Sequence, residues 1–209
     1  MDICSFLKTR RSAAIKYLSA PGPDARQLED ILAIAARVPD HGKLAPWWFV
    51  TFEGEAREKF GAVLRDAYLL EDPDAAPAKL DLEAEKFLRA PLVIAAISRV
   101  KESKIPQWEQ FLSAGAACHN LCLAANGLGY GTNWVTGWPA FNAKVRNALQ
   151  CDERDIIAGF IYIGTATQEQ DERERPALPA IVSAWTEDYT PNKGDAYGKA
   201  GIGLPERGF

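Results

Sequence analysis

Histidine is scarce in this chain: His41 and His119 are the only two among 209 residues. No Ser/His/Asp set, carboxylate pair, nucleophile elbow or Walker loop can be assembled, so hydrolytic chemistry has little support. A basic surplus is also lacking. Lys and Arg total 24 against 28 Asp and Glu, a net charge of −4, whereas a nucleic-acid binder usually carries excess positive charge. The longest apolar run, Pro91 to Ile97, falls far short of the roughly 20 residues that span a bilayer. The start, Met-Asp-Ile-Cys-Ser-Phe-Leu-Lys-Thr-Arg-Arg, has no basic opening followed by an apolar stretch and does not read as a secretory signal. Of the four cysteines none forms a C-x-x-C; Cys118 and Cys122 lie one helical turn apart beside His119, with too few further ligands for a metal. Free thiols in a cytoplasmic protein, no metal, no nucleic acid and no membrane are the expectations.

What the chain does have is an apolar content of 47% and regular alternation of helix-like and strand-like segments. One domain of this size buries a sizeable core. Asp2 can cap a short helix with Ile3, Phe6 and Leu7 facing inward. Asp24 and Gln27 form a capping box for a second helix, whose Leu28, Ile31, Leu32, Ala35 and Ala36 make one stripe. Pro39 ends it. Trp47 to Phe52 reads as a strand, and a third helix carries Phe60, Val63, Leu64 and Ala67 on one face. Residues 77–89 read as a fourth helix, charged and more exposed. Leu92 to Ile97 fits a strand buried on both faces. Trp108 to Asn126 is apolar nearly all round, as a central helix buried in the monomer or between monomers would be. Thr132 to Thr136 and Ile156 to Ile163 supply two more strands. The pattern predicts an α+β or α/β layered domain around one sheet. From Thr186 to Phe209 there are five glycines, two prolines and little periodicity, which reads as an extended tail or one that wraps a partner.

The densest signal is Ala-Ala-Asn-Gly-Leu-Gly-Tyr-Gly-Thr-Asn-Trp-Val-Thr-Gly, residues 124–137, where the long helix meets a glycine-punctuated strand. Such a junction either caps a helix and turns into a core strand or lays peptide groups and an aromatic against a flat ligand. Arg10-Arg11-Ser12 can grip a phosphate through forked, charge-assisted hydrogen bonds, or can complement the C-terminal dipole of the first helix. Arg37 closes the second helix, and His41 sits in a turn beside Gly42, as a donor to a ligand or as a loop cap. Glu109, near a helix N-terminus, has a dipole explanation. If this is an enzyme, a cofactor carries the reaction.

Taken in order, these segments resemble the nitroreductase superfamily of flavin-dependent oxidoreductases, in particular its small single-domain branch. The resemblance is carried by Arg10-Arg11-Ser12, by Arg37 to Trp47, by Gly127 to Gly137, and by Phe160 to Thr165. It implies an α+β fold with a central mixed sheet flanked by helices, an intertwined homodimer, and a domain over residues 1–185 followed by the tail 186–209. It also implies FMN, with Arg10, Arg11, Ser12, Trp134, Val135 and Thr136 from one subunit and Arg37 and His41 from the other; Arg175 adds a late phosphate contact. Ala124, Ala125, Asn126, Gly127, Leu128 and Gly129 would approach the nicotinamide of NAD(P)H. No catalytic side chain is required, because the flavin carries the chemistry. The implied reaction is ping-pong: hydride passes from NAD(P)H to the flavin and then to a nitroaromatic, a quinone or an activated alkene. A flavin-binding carrier or sensor without turnover is the alternative. Val135 departs from the branch, whose members often place a basic residue there.

Overall fold

The computed structural model describes residues 2–190. They fall into two units that divide between residues 170 and 171. The first unit opens with α1 (Ile3–Thr9), β1 (Leu18–Ser19), α2 (Ala25–Ala35), β2 (Trp47–Glu53) and α3 (Glu55–Glu71). It continues with α4 (Pro77–Ala84), β3 (Leu92–Ser98), α5 (Gln107–Gly127), β4 (Gly131–Val135), α6 (Ala143–Ala148) and β5 (Ile156–Ala166). The second unit holds α7 (Leu178–Ile181), which buries none of its residues. Most of the expected tail lies outside the described residues.

Five strands form one sheet in which β5 is the hub. β3 lines one edge of β5 and β2 follows β3, while β4 and then β1 share the other edge. The expectation of a mixed sheet is corrected: every described pairing is antiparallel. No described strand is joined to a parallel neighbour by the crossover that such a pairing requires. The two central strands are largely apolar, and their alternation sorts side chains between two faces. Leu92, Ile94, Ala96, Ile161 and Ile163 pack on Ile31 and Ala35 of α2 and on Cys118, Leu121, Cys122 and Ala125 of α5. Val93, Ala95, Ile97, Phe160 and Tyr162 face Phe52, Phe60, Leu64, Ala67 and Phe87. Each large side chain sealed this way contributes about 1.5–3 kcal/mol. A ring cluster anchors the second face, with Phe52 and Phe60 centroids 4.6 Å apart and Phe87 5.0 Å from each.

The capping box of α2 forms in both directions, and Asp2 caps α1. The inward stripe expected of α1 does not form. Ile3 is 66% and Leu7 47% exposed, and α1 buries no residue. Both faces of the sheet are already covered by other helices, so among the described residues α1 has no layer to dock on. Ala36 is likewise exposed, beyond the last turn of α2. Residues 77–89 split into α4 and a 3-10 turn, Glu85–Arg89. They are less exposed than their charge suggests, since Leu80, Glu83 and Phe87 are buried. α5 buries one face rather than its whole surface, leaving Trp108 and Leu112 exposed. Among the described residues no helix is long and apolar enough to cross a membrane.

Candidate functional site

The C-terminus of α5, the start of β4 and the segment after α1 converge on one open cleft of about 280 Å³. Arg10, Arg11, Asn126, Gly129, Tyr130 and Gln170 are among its lining residues. The segment after α1 is tied to β4 through both backbone groups of Ala13: its amide donates to the Thr132 carbonyl at 2.9 Å, and its carbonyl accepts from the side-chain Nδ2 of Asn133. Gly131 permits this approach, because a Cβ there would lie 2.8 Å from Leu18 and 3.1 Å from the Ala13 methyl.

Asn126 is the junction of the three elements. Its Nδ2 donates to the Tyr130 carbonyl at 2.8 Å and to Thr132 Oγ1 at 3.1 Å. Its Oδ1 accepts from Arg10 Nε at 3.3 Å, which orients the guanidinium at the cleft. Beneath it, Thr132 bonds the buried thiol of Cys122. Burial pushes that thiol up, against the opposing pull of the Thr132 bond and of the nearby Arg10 charge. Tyr130 ties the same turn to the start of α2 through a 2.8 Å bond to Gln27.

Further along β4, Trp134 is 40% exposed and its indole Nε1 donates to the Ala158 carbonyl at 3.0 Å. Ala158 sits at a bulge: β3 partners run from Gly159 to Ile157 and skip it. The bulge leaves that carbonyl outside the ladder and available to the indole. Val135 pairs with Phe160 and packs against the core, and Thr136 lies exposed just past the strand.

His41 belongs to a second cluster, whose cavity Arg37, exposed just past α2, does not line. Its small cavity, lined by Asp40, His41, Pro46, Ile105, Glu109, Gln110 and Ser113, shares no lining residue with the first. The Asp40 carboxylate accepts from the Leu44 and Ala45 amides at 3.0 and 2.8 Å. His41 Nδ1 meets Glu109 Oε2 at 2.6 Å. With side chains 62% and 29% exposed, such a pair contributes about 0–1 kcal/mol of stability. Its effect is to fix the ring. Among the described residues no three His, Cys, Asp or Glu side chains gather as a metal site.

Residues 7–165 match the family described as Nitroreductase. The chain belongs to the nitroreductase family. It is 38% identical over 192 residues to an Escherichia coli K12 protein provisionally named NAD(P)H nitroreductase YdjA, covering 91% of this chain and 97% of that one. Its fold matches a nitroreductase-like family protein from Bacillus cereus with a TM-score of 0.78 at 20% identity, over 88% and 96% of the two chains. It also matches a Bacteroides fragilis nitroreductase solved with bound FMN, with a TM-score of 0.64 at 18% identity, over 89% and 100%.

Within this nitroreductase chain the sequence-selected residues fall into distinct settings. Arg10 and Arg11 share the cleft with Asn126 and Gly129, while Ser12 is exposed beside it and does not line it. Ala124 and Ala125 are buried, whereas Gly127, Leu128 and Gly129 lie at the surface. The helix-cap reading of this junction is met as well, since the Leu128 and Tyr130 amides return to the carbonyls of Ala124 and Ala125. Arg175 lies in the second unit, exposed and 3.5 Å from Glu172. Sequence reading missed the linking role of Asn126, the pairing of Glu109 with His41 and the bulge under Trp134. A Glu at the first turn of α5 was the one available signal for the second of these.

Proposed function

We propose that this nitroreductase is an FMN-dependent oxidoreductase that draws on NAD(P)H to reduce a nitroaromatic, a quinone or an activated alkene by a ping-pong mechanism. The observation that carries the reading is the cleft where Arg10, held by Asn126, and Arg11 stand together beside the half-open indole strand. That donor set fits FMN: guanidiniums suit an anion and stay charged at any working pH, and an exposed ring suits a flat partner. When bound, FMN supplies the hydride chemistry that no side chain of the site provides.

The chain's own residues bind and orient. Arg10, Arg11 and Ser12 hold the phosphate, the ribityl chain or the flavin edge. Arg10 also stabilises negative charge at the pyrimidine edge, and Asn126 keeps it aimed so that no reorganisation is needed. Trp134, Val135 and Thr136 line the ring and exclude water. Residues 126–129 present the surface for the nicotinamide, with Ala124 and Ala125 as the buried support behind it. In a homodimer Arg37 and His41 complete the partner's site, and symmetry gives two equivalent sites. We place the protein in the cytoplasm, with the NAD(P)H it uses.

The visible spectrum of the purified protein tests this, before and after anaerobic NADH or NADPH. Flavin bands that bleach, then return on adding a nitroaromatic or a quinone, are expected. A protein that stays colourless after FMN is added overturns the reading, and flavin bands that never bleach leave a carrier in its place.

A further inference from the structure

α5 holds the whole Arg37–His41 segment along one side. Asn120 Nδ2 donates to the Arg37 carbonyl at 2.9 Å, Ser113 Oγ to the Pro39 carbonyl at 2.6 Å, and Glu109 accepts from His41 Nδ1 at 2.6 Å. The spacings 109, 113 and 120 fall on one face of a helix. Two of the three bonds grip backbone and set the path of the loop. Only the third grips a side chain, and it grips the one imidazole in the cluster. A carboxylate can only accept, so Nδ1 carries the proton of that bond and Nε2 is the nitrogen left for a ligand.

We infer that Glu109 is the positioning residue of His41: it fixes the Nδ1–H form and the ring orientation, so that Nε2 is presented to the flavin or to the acceptor bound on it. This rests on the reading of His41 as a flavin contact given above, and it assigns Glu109 a part beyond favouring its helix dipole. The same logic orders imidazoles elsewhere, where the partner of one ring nitrogen decides what the other can do.

The chain's two histidines make the test direct. Long-range ¹H–¹⁵N spectra of the full ¹⁵N-histidine-labelled protein, with pH raised until both rings are neutral, show which nitrogen of each ring bears the proton; His119→Gln assigns the pair. His41 should be Nδ1–H in the wild type and in Glu109→Gln, whose amide oxygen still accepts. It should revert to the Nε2–H form that free imidazoles favour in Glu109→Ala. FMN affinity should fall about tenfold in Glu109→Ala and stay within about twofold in Glu109→Gln, with circular dichroism unchanged in both. An unchanged His41 proton in Glu109→Ala overturns the inference, as does a moved proton with unchanged FMN affinity. If FMN instead leaves the wild-type His41 signals unmoved, the reading of His41 as a flavin contact fails while its pairing with Glu109 stands.

Discussion

Trp134 rests its indole directly on the Cα of Gly159 and donates its Nε1 proton to the carbonyl of the preceding residue, Ala158. The contact is so close that a Cβ at Gly159 would collide with the ring. Gly159→Ala should therefore swing the indole off its seat and break the bond to the bulge. Overpacking of this kind costs about 1–3 kcal/mol. The urea midpoint should drop with an unchanged slope, and flavin retention should fall with it. Trp134→Phe removes the donor and its five-membered ring but keeps an aromatic side chain and overpacks nothing, so it should cost only about 1 kcal/mol. Equal losses in the two variants would show that the bond, not the close seat, is what matters.

Asn126 joins α5, β4 and Arg10 through three hydrogen bonds. Asn126→Ala breaks all of them, and Arg10 loses the partner that aims it. Weakening of FMN binding by about 1.5–3 kcal/mol is expected, the range for a bond to a charged group. Arg10→Ala combined with Ser12→Ala should weaken it further. Titration of protein fluorescence with FMN checks both. If Asn126→Ala binds FMN as tightly as the wild type, the orienting role assigned to Asn126 is lost.

Much of the fold was legible because its signals are local. The capping box of α2 needs only Asp24 and Gln27, and the buried strand β3 announces itself as the unbroken apolar run Leu92 to Ile97. Pairing sense was not legible, because it depends on how β5 threads between β3 and β4 rather than on any one segment. The site divided in the same way. Arg10, Arg11, Trp134 and His41 stand out by residue type and setting. Their supports do not: Asn126 bonds Arg10 across 116 positions and Glu109 reaches His41 across 68. Ala158 matters only through a carbonyl freed by a bulge, and a carbonyl leaves no mark in a sequence. Ile3 and Leu7 misled for the opposite reason, being apolar at helical spacing with nothing among the described residues to cover them.

The thiols should separate by burial. Cys4 is exposed, Cys151 is partly covered, and Cys118 and Cys122 are buried. Burial, helped by the neighbouring Cys122, pushes the Cys118 thiol up to about 12. Almost none of it is then thiolate at pH 8, and the thiolate is the reactive form. Alkylation of the native protein followed by peptide mass spectrometry should mark Cys4 first and leave Cys118 unmodified until denaturant is added. Early labelling of Cys118 would mean that the α5–sheet layer opens readily.

Glu83 is, with Asp155, one of two buried carboxylates among the described residues of the first unit; it is 1% exposed and accepts from Lys79 at 2.8 Å, Lys86 at 2.6 Å and Trp138 Nε1 at 2.8 Å. Burial alone would push its carboxyl up, but the three donors more than offset that and hold it below its ordinary value of 4.5. A depressed carboxyl stabilises the fold fully above its unfolded value and loses that contribution as pH falls through the folded one. Lys79 gives the mirror image: bonded to Glu83, its ammonium is held above 10.5, so its share persists below that value and is lost as pH climbs through the raised one. Denaturant midpoints measured against pH should therefore fall below about pH 4.5, and Glu83→Gln should flatten that acid limb. At pH 7 the same variant should cost about 2–3 kcal/mol, under the ~3–5 of a sealed ion pair, because Lys79 can turn to solvent. The residue after Gly137 is the Trp138 that Glu83 holds, so the turn leaving β4 depends on this carboxylate. An acid limb that survives in Glu83→Gln would assign acid stability to another carboxylate.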